Sequence, residues 1–134
     1  MLKYLEKRKV LLVYTPLVLY WLLLLTATSL PANDIPTLGI NDKFYHLGAY
    51  TILSFLLNLA LIYQRKSKLL FEKAGITTII IASLYGAFDE VHQIFIPGRF
   101  AEILDWTADA IGACLGVYIV YLMIRRFKYP LEFD

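Results

Sequence analysis

Residues 10–30 run for 21 positions without a charged side chain. A helix of that length is about 31 Å long, which matches a bilayer hydrocarbon core of about 30 Å. Lys7, Arg8 and Lys9 precede the run, as they would in a secretion signal. The apolar stretch of such a signal is usually about 7–15 residues, so this longer run reads as a retained membrane span. Pro16 sits one turn inside it, where a membrane helix tolerates proline.

Three further runs follow. Residues 44–64 are interrupted only by His46 and Asn58, residues 74–96 form a third candidate span, and residues 104–124 a fourth. The connections are short and carry turn signals, including Pro97-Gly98. There is no repeat, low-complexity tract or long linker. Residues 1–134 are therefore expected to be one all-α domain, an integral membrane four-helix transmembrane bundle. Composition agrees: 59% of residues are apolar and 18% charged, against about 45–50% and about 25% in soluble domains. A net charge of +2 in scattered clusters excludes a nucleic-acid-binding face. The single cysteine, Cys114, excludes an internal disulfide.

Charge sets the expected orientation. Eleven of the 13 Lys and Arg residues fall in the N-terminal tail, the 65–73 connection and the C-terminal tail; only Lys43 and Arg99 fall on the opposite side. By the positive-inside rule both termini are cytoplasmic in a cell membrane. Seven of the 11 acids, Asp34, Asp42, Asp89, Glu90, Glu102, Asp105 and Asp109, then face outward.

The acids do not stop at the loops. The third span has a charge-free run of only 15 residues, 74–88, or about 22 Å of helix, too short to cross alone. Asp89, Glu90, His92 and Gln93 must complete the crossing. The fourth span mirrors this, with 15 charge-free residues, 110–124, preceded by Asp105 and Asp109. The second begins with Asp42, Lys43 and His46. Three helices thus place ionisable residues at one depth in the outer leaflet. At 100° per residue, Asp89 and Gln93 share a stripe with Ala82 and Gly86. Asp105, Asp109, Gly112 and Gly116 form another, and Asp42, His46 and Ala49 a third. Small residues at four-residue spacing allow close helix approach, so these stripes are expected to face the bundle interior. An ionisable residue at this depth costs about 2.5–3.5 kcal/mol on insertion scales, and several together point to a functional site.

Plainer roles stand beside this. Asp42 suits a helix N-cap, and Asp105 the positive end of its helix. Glu102 and Asp34 read as solvated loop residues, Trp106 as an interfacial anchor, and Arg99 as a neutraliser of nearby acids. The 89–93 cluster exceeds any capping need.

These residues carry a family resemblance. Asp42-Lys43 with His46 and Tyr50, Asp89-Glu90-Val91-His92-Gln93, Pro97-Gly98-Arg99, and Asp105 with Asp109-Ala110-Ile111-Gly112 resemble the VanZ-like family of small bacterial membrane proteins. Asp109 stands where that family often carries asparagine. The resemblance implies a cell-envelope protein, and the founding member is linked to resistance to the lipoglycopeptide teicoplanin. It implies no defined reaction.

Two functions compete. In the first, an outward-facing polar site binds a lipid head group, a lipid-linked cell-wall precursor or a lipoglycopeptide. Its ligand-binding candidates are Asp42, Lys43, His46, Asp89, Glu90, His92, Gln93, Arg99, Asp105 and Asp109. Lys43 and Arg99 would meet a phosphate or carboxylate, and the acids hydroxyls or amines. In the second, a membrane-embedded hydrolase or transferase acts on such a molecule, with His92 or His46 as base and Glu90 or Asp89 as acid. No serine or cysteine nucleophile lies near the cluster. No cofactor is expected. His46, His92 and two carboxylates are conceivable as a four-ligand metal set, but Asp-Glu-x-His-Gln lacks the His-x-x-x-His spacing of a one-helix zinc site, so no metal is expected. Ion transport would need polar groups along the whole path, which the other half lacks. The expected partners are membrane lipids or a lipid-linked envelope molecule, and no nucleic acid.

Overall fold

The computed structural model describes residues 2–33, the backbone of Asp34, residues 41–128, and residues 130 and 133. The expectation for the Asp34 side chain lies outside the described residues. The described residues form helices α1 (Leu2–Lys7), α2 (Thr15–Thr28), α3 (Asp42–Tyr63), α4 (Lys68–Glu72), α5 (Ala74–Gln93) and α6 (Ile103–Arg126). Four stretches are long and apolar enough to cross a membrane: Val10–Thr28, Asp42–Tyr63, Ala74–Gln93 and Ile103–Arg126. The protein is an all-α, multi-pass membrane bundle.

Three details differ from the sequence reading. Val10–Tyr14 is a π-helical turn that leads into α2. Pro16 has no N–H to give the preceding turn, and its ring crowds the carbonyl four residues back. The wider turn accommodates both, and the Thr15 hydroxyl donates to Val10 O at 2.9 Å. Secondly, α5 stops at Gln93 rather than 96. The residue before a proline is driven out of the helical region, and Pro97 imposes this on Ile96. The Phe95 and Ile96 amides fold back onto His92 O and Gln93 O at 3.0 Å each. Thirdly, the basic connection contains helix α4, capped by Ser67, whose side chain accepts from the Leu70 amide.

The helices alternate in direction. One end of the bundle, here the basic end, gathers α1, the close of α3 and the 65–73 connection. There Lys9 Nζ donates to Tyr63 O at 2.7 Å, a cation on a helix C-terminus, and Arg65 pairs with Glu6. Val13, Leu59, Ile62, Tyr63, Ala74 and Val120 pack beside it. A second cluster, Leu17, Tyr50, Leu53, Leu57, Ala82 and Ala113, fills the middle. Buried Asn58 donates to Thr78 Oγ1 at 3.1 Å and joins α3 to α5.

Helices α3 and α6 approach most closely. A Cβ on Gly112 would lie 2.5 Å from Leu47 O, and one on Gly116 would lie 2.5 Å from Thr51 O and 2.7 Å from Phe55 N. Only glycine lets one backbone rest on the other there. The first span is peripheral by contrast: Val13 and Leu17 are its only buried residues. Lipid supplies no hydrophobic force between helices, so polar ties hold it. One of these is the Tyr20 hydroxyl, which donates to Ala49 O at 3.0 Å.

Candidate functional site

The end opposite the termini, here the acidic end, is built from the start of α3, the close of α5, the start of α6 and the turn between the last two. Asn41, not Asp42, caps α3: its side chain accepts from the Lys43 amide at 3.0 Å. Asp42 occupies the first helical turn, near the positive end of the helix. Its Oδ1 accepts from the same amide at 2.9 Å. Asp105 likewise lies in the first turn of α6. The acids at these two helix starts satisfy the helix dipole and remain free to act on other groups.

Lys43 gathers one set of carboxylates. Its Nζ lies 3.1 Å from Asp42 Oδ1, 2.9 Å from Glu102 Oε2 and 2.9 Å from Asp105 Oδ1. Glu102 is exposed, as expected, but it is tied to this ammonium.

His46 gathers the second set. Its Nδ1 is 3.0 Å from Asp109 Oδ1, and its Nε2 is 3.9 Å from Asp105 Oδ2. Asp109 is fully buried, and its Oδ2 has no partner. Gly86 makes room for it, since a Cβ there would lie 2.8 Å from Asp109 Oδ2. Glu90 stands beside the pair. Its Oε2 accepts from the Glu102 amide at 2.7 Å, docking the α5–α6 connection onto α5, while Oε1 has no partner.

Arg99 organises the third set. Pro97-Gly98 is the centre of a type II turn: Arg99 N–H donates to Ile96 O at 3.1 Å, and Gly98 has φ +77°, which glycine adopts without strain. The turn packs on Ala32, whose N–H donates to Pro97 O at 3.2 Å. The guanidinium then reaches Leu30 O, Ala27 O and Gln93 Oε1, each at 3.1 Å. Gln93 passes its amide on to Asp89 Oδ2 at 3.4 Å. Arg99 therefore contacts Asp89 through Gln93, and it closes the carbonyl end of the first span. Burial pulls its pKa down from the usual value, while the Asp89 and Glu90 charges pull it back.

Not every expected residue joins the cluster. His92 turns the other way: its ring stacks on Phe88, and Nε2 meets Ser29 Oγ at 3.0 Å. Ser29 already donates to Leu25 O at 2.6 Å, so the His92 nitrogen is the donor in that bond. At the end of α5, His92 lies on the flank where the first span passes, whereas Asp89, Glu90 and Gln93 are buried. Trp106 is no simple interfacial anchor. Its indole N–H donates to Ser83 O at 3.0 Å and ties α6 to α5.

A cavity of about 610 Å³ lies between these groups and the first span. Asp42, His46, Asp89, Gln93, Arg99, Glu102 and Asp105 line its polar side. Leu24, Ala27, Thr28 and Leu30 line the side formed by the first span, and Ala49 and Tyr50 lie deeper. Glu90 and Asp109 sit just behind the polar wall.

A profile of the VanZ/LLP1 family matches residues 8–125. The chain belongs to the VanZ/LLP1 family. No curated protein and no solved structure matches it. In this VanZ/LLP1 protein the motifs of the resemblance acquire separate physical tasks. Pro-Gly-Arg makes a turn that aims a guanidinium, Asp-Glu-x-His-Gln divides its side chains between two faces, and Asp-x-x-x-Asp on α6 meets the α3 histidine.

Sequence reasoning missed two contributors, the first span and Tyr85, and left a third, Tyr50, as a residue of the family resemblance with no place in the site. The first span supplies cavity wall and carbonyl acceptors through Leu24, Ala27, Thr28 and Leu30. An apolar run with no periodic polar residue gave no sign of that. Tyr50 and Tyr85 place buried hydroxyls beneath the acids, with ring centroids 6.1 Å apart; the Tyr50 hydroxyl has no partner, and Tyr85 lies edge-on against Trp21. Each is four residues from a site residue, His46 and Asp89, so the helical stripe carried the signal. Among the acid/base candidates, His46 and Asp89 line the cavity, Glu90 lies behind it, and His92 is outside it.

Proposed function

We propose that this VanZ/LLP1 protein is a binding protein of the bacterial cell envelope. Its cavity would take a lipid head group, a lipid-linked cell-wall precursor or a lipoglycopeptide. The observation that carries the reading is the two-sided cavity. One wall is apolar and belongs to a span with few buried residues, and the other presents four acids, a histidine and an arginine. An amphiphile fits both walls at once, its chain along the first span and its head against the acids.

The charge arrangement narrows the head group. Lys43 is already shared by three carboxylates, and Arg99 spends three N–H groups on protein oxygens. Asp89 Oδ1 by contrast makes no hydrogen bond of good geometry, since the Thr28 hydroxyl beside it donates to Leu24 O. The cavity therefore favours a head group that supplies hydroxyl or amine donors over one recognised chiefly as an anion. Full-length protein in detergent should be titrated with phosphatidylglycerol, phosphatidylethanolamine, an undecaprenyl-linked cell-wall precursor and teicoplanin. Saturable binding of a donor-rich member is expected, weakened at least tenfold by Asp89→Asn and unchanged by Glu72→Gln at the basic end. No saturable binding, or binding indifferent to Asp89→Asn, would end this reading. Turnover in the same assay would favour the membrane-embedded hydrolase or transferase.

The basic-residue asymmetry supports cytoplasmic termini and a cavity that opens outward. Single cysteines at Lys68 and Ala101, in a Cys114→Ala background, test it in intact cells with an impermeant thiol reagent. Labelling at 101 and not at 68 is the expected result. The reverse pattern would place the cavity on the cytoplasmic side.

A further inference from the structure

Asp89, Glu90 and Asp109 are each at most 6% exposed, and among the described residues none of them has an ion pair with lysine or arginine. A buried carboxylate without a counter-charge is costly, so evolution seldom leaves one unmatched. Asp89 faces the cavity, where a ligand can meet it. Glu90 and Asp109 do not line the cavity, so their unpartnered oxygens need another explanation.

We propose that His46, Glu90 and Asp109 bind one divalent transition-metal ion, of the Mn²⁺ or Zn²⁺ class, behind the cavity wall. One donor atom from each residue lies within 4.8 Å of the others. Ligand atoms on a single ion with bonds of about 2.1 Å stand about 3.0–3.4 Å apart, so closure takes side-chain movements on the order of 1 Å. His46 Nδ1 and Asp109 Oδ1 already stand 3.0 Å apart. Glu90 Oε1 and Asp109 Oδ2 have no hydrogen-bond donor, which leaves lone pairs for an ion. The Asp105 carboxylate stands 3.9 Å from His46 Nε2, beyond hydrogen-bond distance; a side-chain shift on the order of 1 Å would bring it to orient the other ring nitrogen, as outer carboxylates do for metal-bound histidines. An imidazole with two carboxylates suits first-row transition ions better than Mg²⁺ or Ca²⁺, which prefer all-oxygen sets.

A one-helix motif search finds no metal site here, because the three donors come from α3, α5 and α6. The Asp42–Glu102–Asp105 group is also close enough to share an ion, but Lys43 already occupies its centre.

Full-length protein purified through a histidine-free tag and stripped with EDTA should be titrated with MnCl₂ and ZnCl₂ by calorimetry. The expected result is one ion per chain, with Glu90→Gln weakening binding at least about tenfold and Asp42→Asn leaving it within about twofold. The chain has only two histidines. The Mn²⁺-loaded protein should therefore show one imidazole nitrogen coupling by electron spin-echo spectroscopy, retained in His92→Ala and lost in His46→Ala. Absence of stoichiometric binding overturns the proposal. So does loss of the coupling in His92→Ala, or equal weakening by Asp42→Asn. Should His46→Ala or Glu90→Gln fail to fold, the wild-type stoichiometry and the His92→Ala spectrum still decide. The proposal stands apart from the lipid reading, since a metal-loaded protein that binds none of the amphiphiles refutes only the latter.

Discussion

Gly116→Ala lowers the thermal stability of the detergent-solubilised protein sharply, by about 3 kcal/mol, while Gly48→Ala leaves it unchanged or raises it. Both replacements add the same methyl group to a transmembrane helix. At Gly116 the methyl would meet Thr51 O at 2.5 Å and Phe55 N at 2.7 Å. Those are backbone atoms of α3, which cannot rotate away as a side chain can. The two helices must separate, and every contact along their seam loosens. Overpacking costs typically about 1–3 kcal/mol, and a rigid obstacle puts this site at the upper end. At Gly48 nothing lies within 4 Å of the new methyl. There the backbone effect dominates, and alanine in a helix is favoured over glycine by about 0.5–1 kcal/mol. Leu115→Ala, a change at a residue 41% exposed on another face, should cost far less than Gly116→Ala. Equal losses at 48 and 116 would mean that α3 and α6 do not meet along Gly112 and Gly116.

Arg99→Lys fails almost as completely as Arg99→Ala. Arg99 holds Leu30 O, Ala27 O and Gln93 Oε1 with separate nitrogens of one planar group. A lysine keeps the charge but cannot span those acceptors. The first span then loses its tie at the acidic end, where hydrogen bonds stand in for the missing hydrophobic force. Hydrogen bonds to a charged group are worth about 1.5–3 kcal/mol each, and partial exposure reduces the total here to about 2–3 kcal/mol. Both variants should lower stability and remove ligand binding together. Gln93→Leu separates the two effects. It keeps the bonds to Ala27 and Leu30 and breaks the link to Asp89, so stability should hold within about 1 kcal/mol while affinity falls. A deletion strain complemented with each variant, and scored for sensitivity to lipoglycopeptides, gives the cellular readout. Full function of Arg99→Lys would show that the charge matters and the fork does not, and would restore Arg99 as an anion-binding residue.

Two of the three stripes read at 100° per residue mark what is buried; on α3 the expectation fails, with Asp42 exposed at the helix start beyond the neighbouring helices and His46 and Ala49 half-buried. Asp89, Gln93, Ala82 and Gly86 on α5, and Asp105, Asp109, Gly112 and Gly116 on α6, are all interior. A helical period is a local property, and a side chain that lipid rejects must face protein. His92 escaped the same logic. It lies about 60° from Asp89 on the helical wheel, near enough to be counted with the cluster, yet its partners Ser29 and Phe88 are on the flank. Wheel position alone cannot tell which neighbouring helix covers an edge residue. Arg99 shows the same limit from the loop side. Its charge suggested an acid as partner, but the type II turn at Pro97-Gly98 aims it at carbonyl oxygens.

Hydrophobic length, the two shortened charge-free runs and the glycine spacing were sufficient to determine four membrane spans with one acidic end, because bilayer thickness and helical rise act on every segment independently. The tertiary structure alone decided the pairings. His46 meets Asp109 across 63 positions of sequence, Lys43 meets Glu102 across 59, and Arg99 meets Ala27 across 72. Such contacts depend on which helix packs beside which and at what rotation. Close approach at Gly112 and Gly116 and the turn at Gly98 set that rotation, and no local pattern records it.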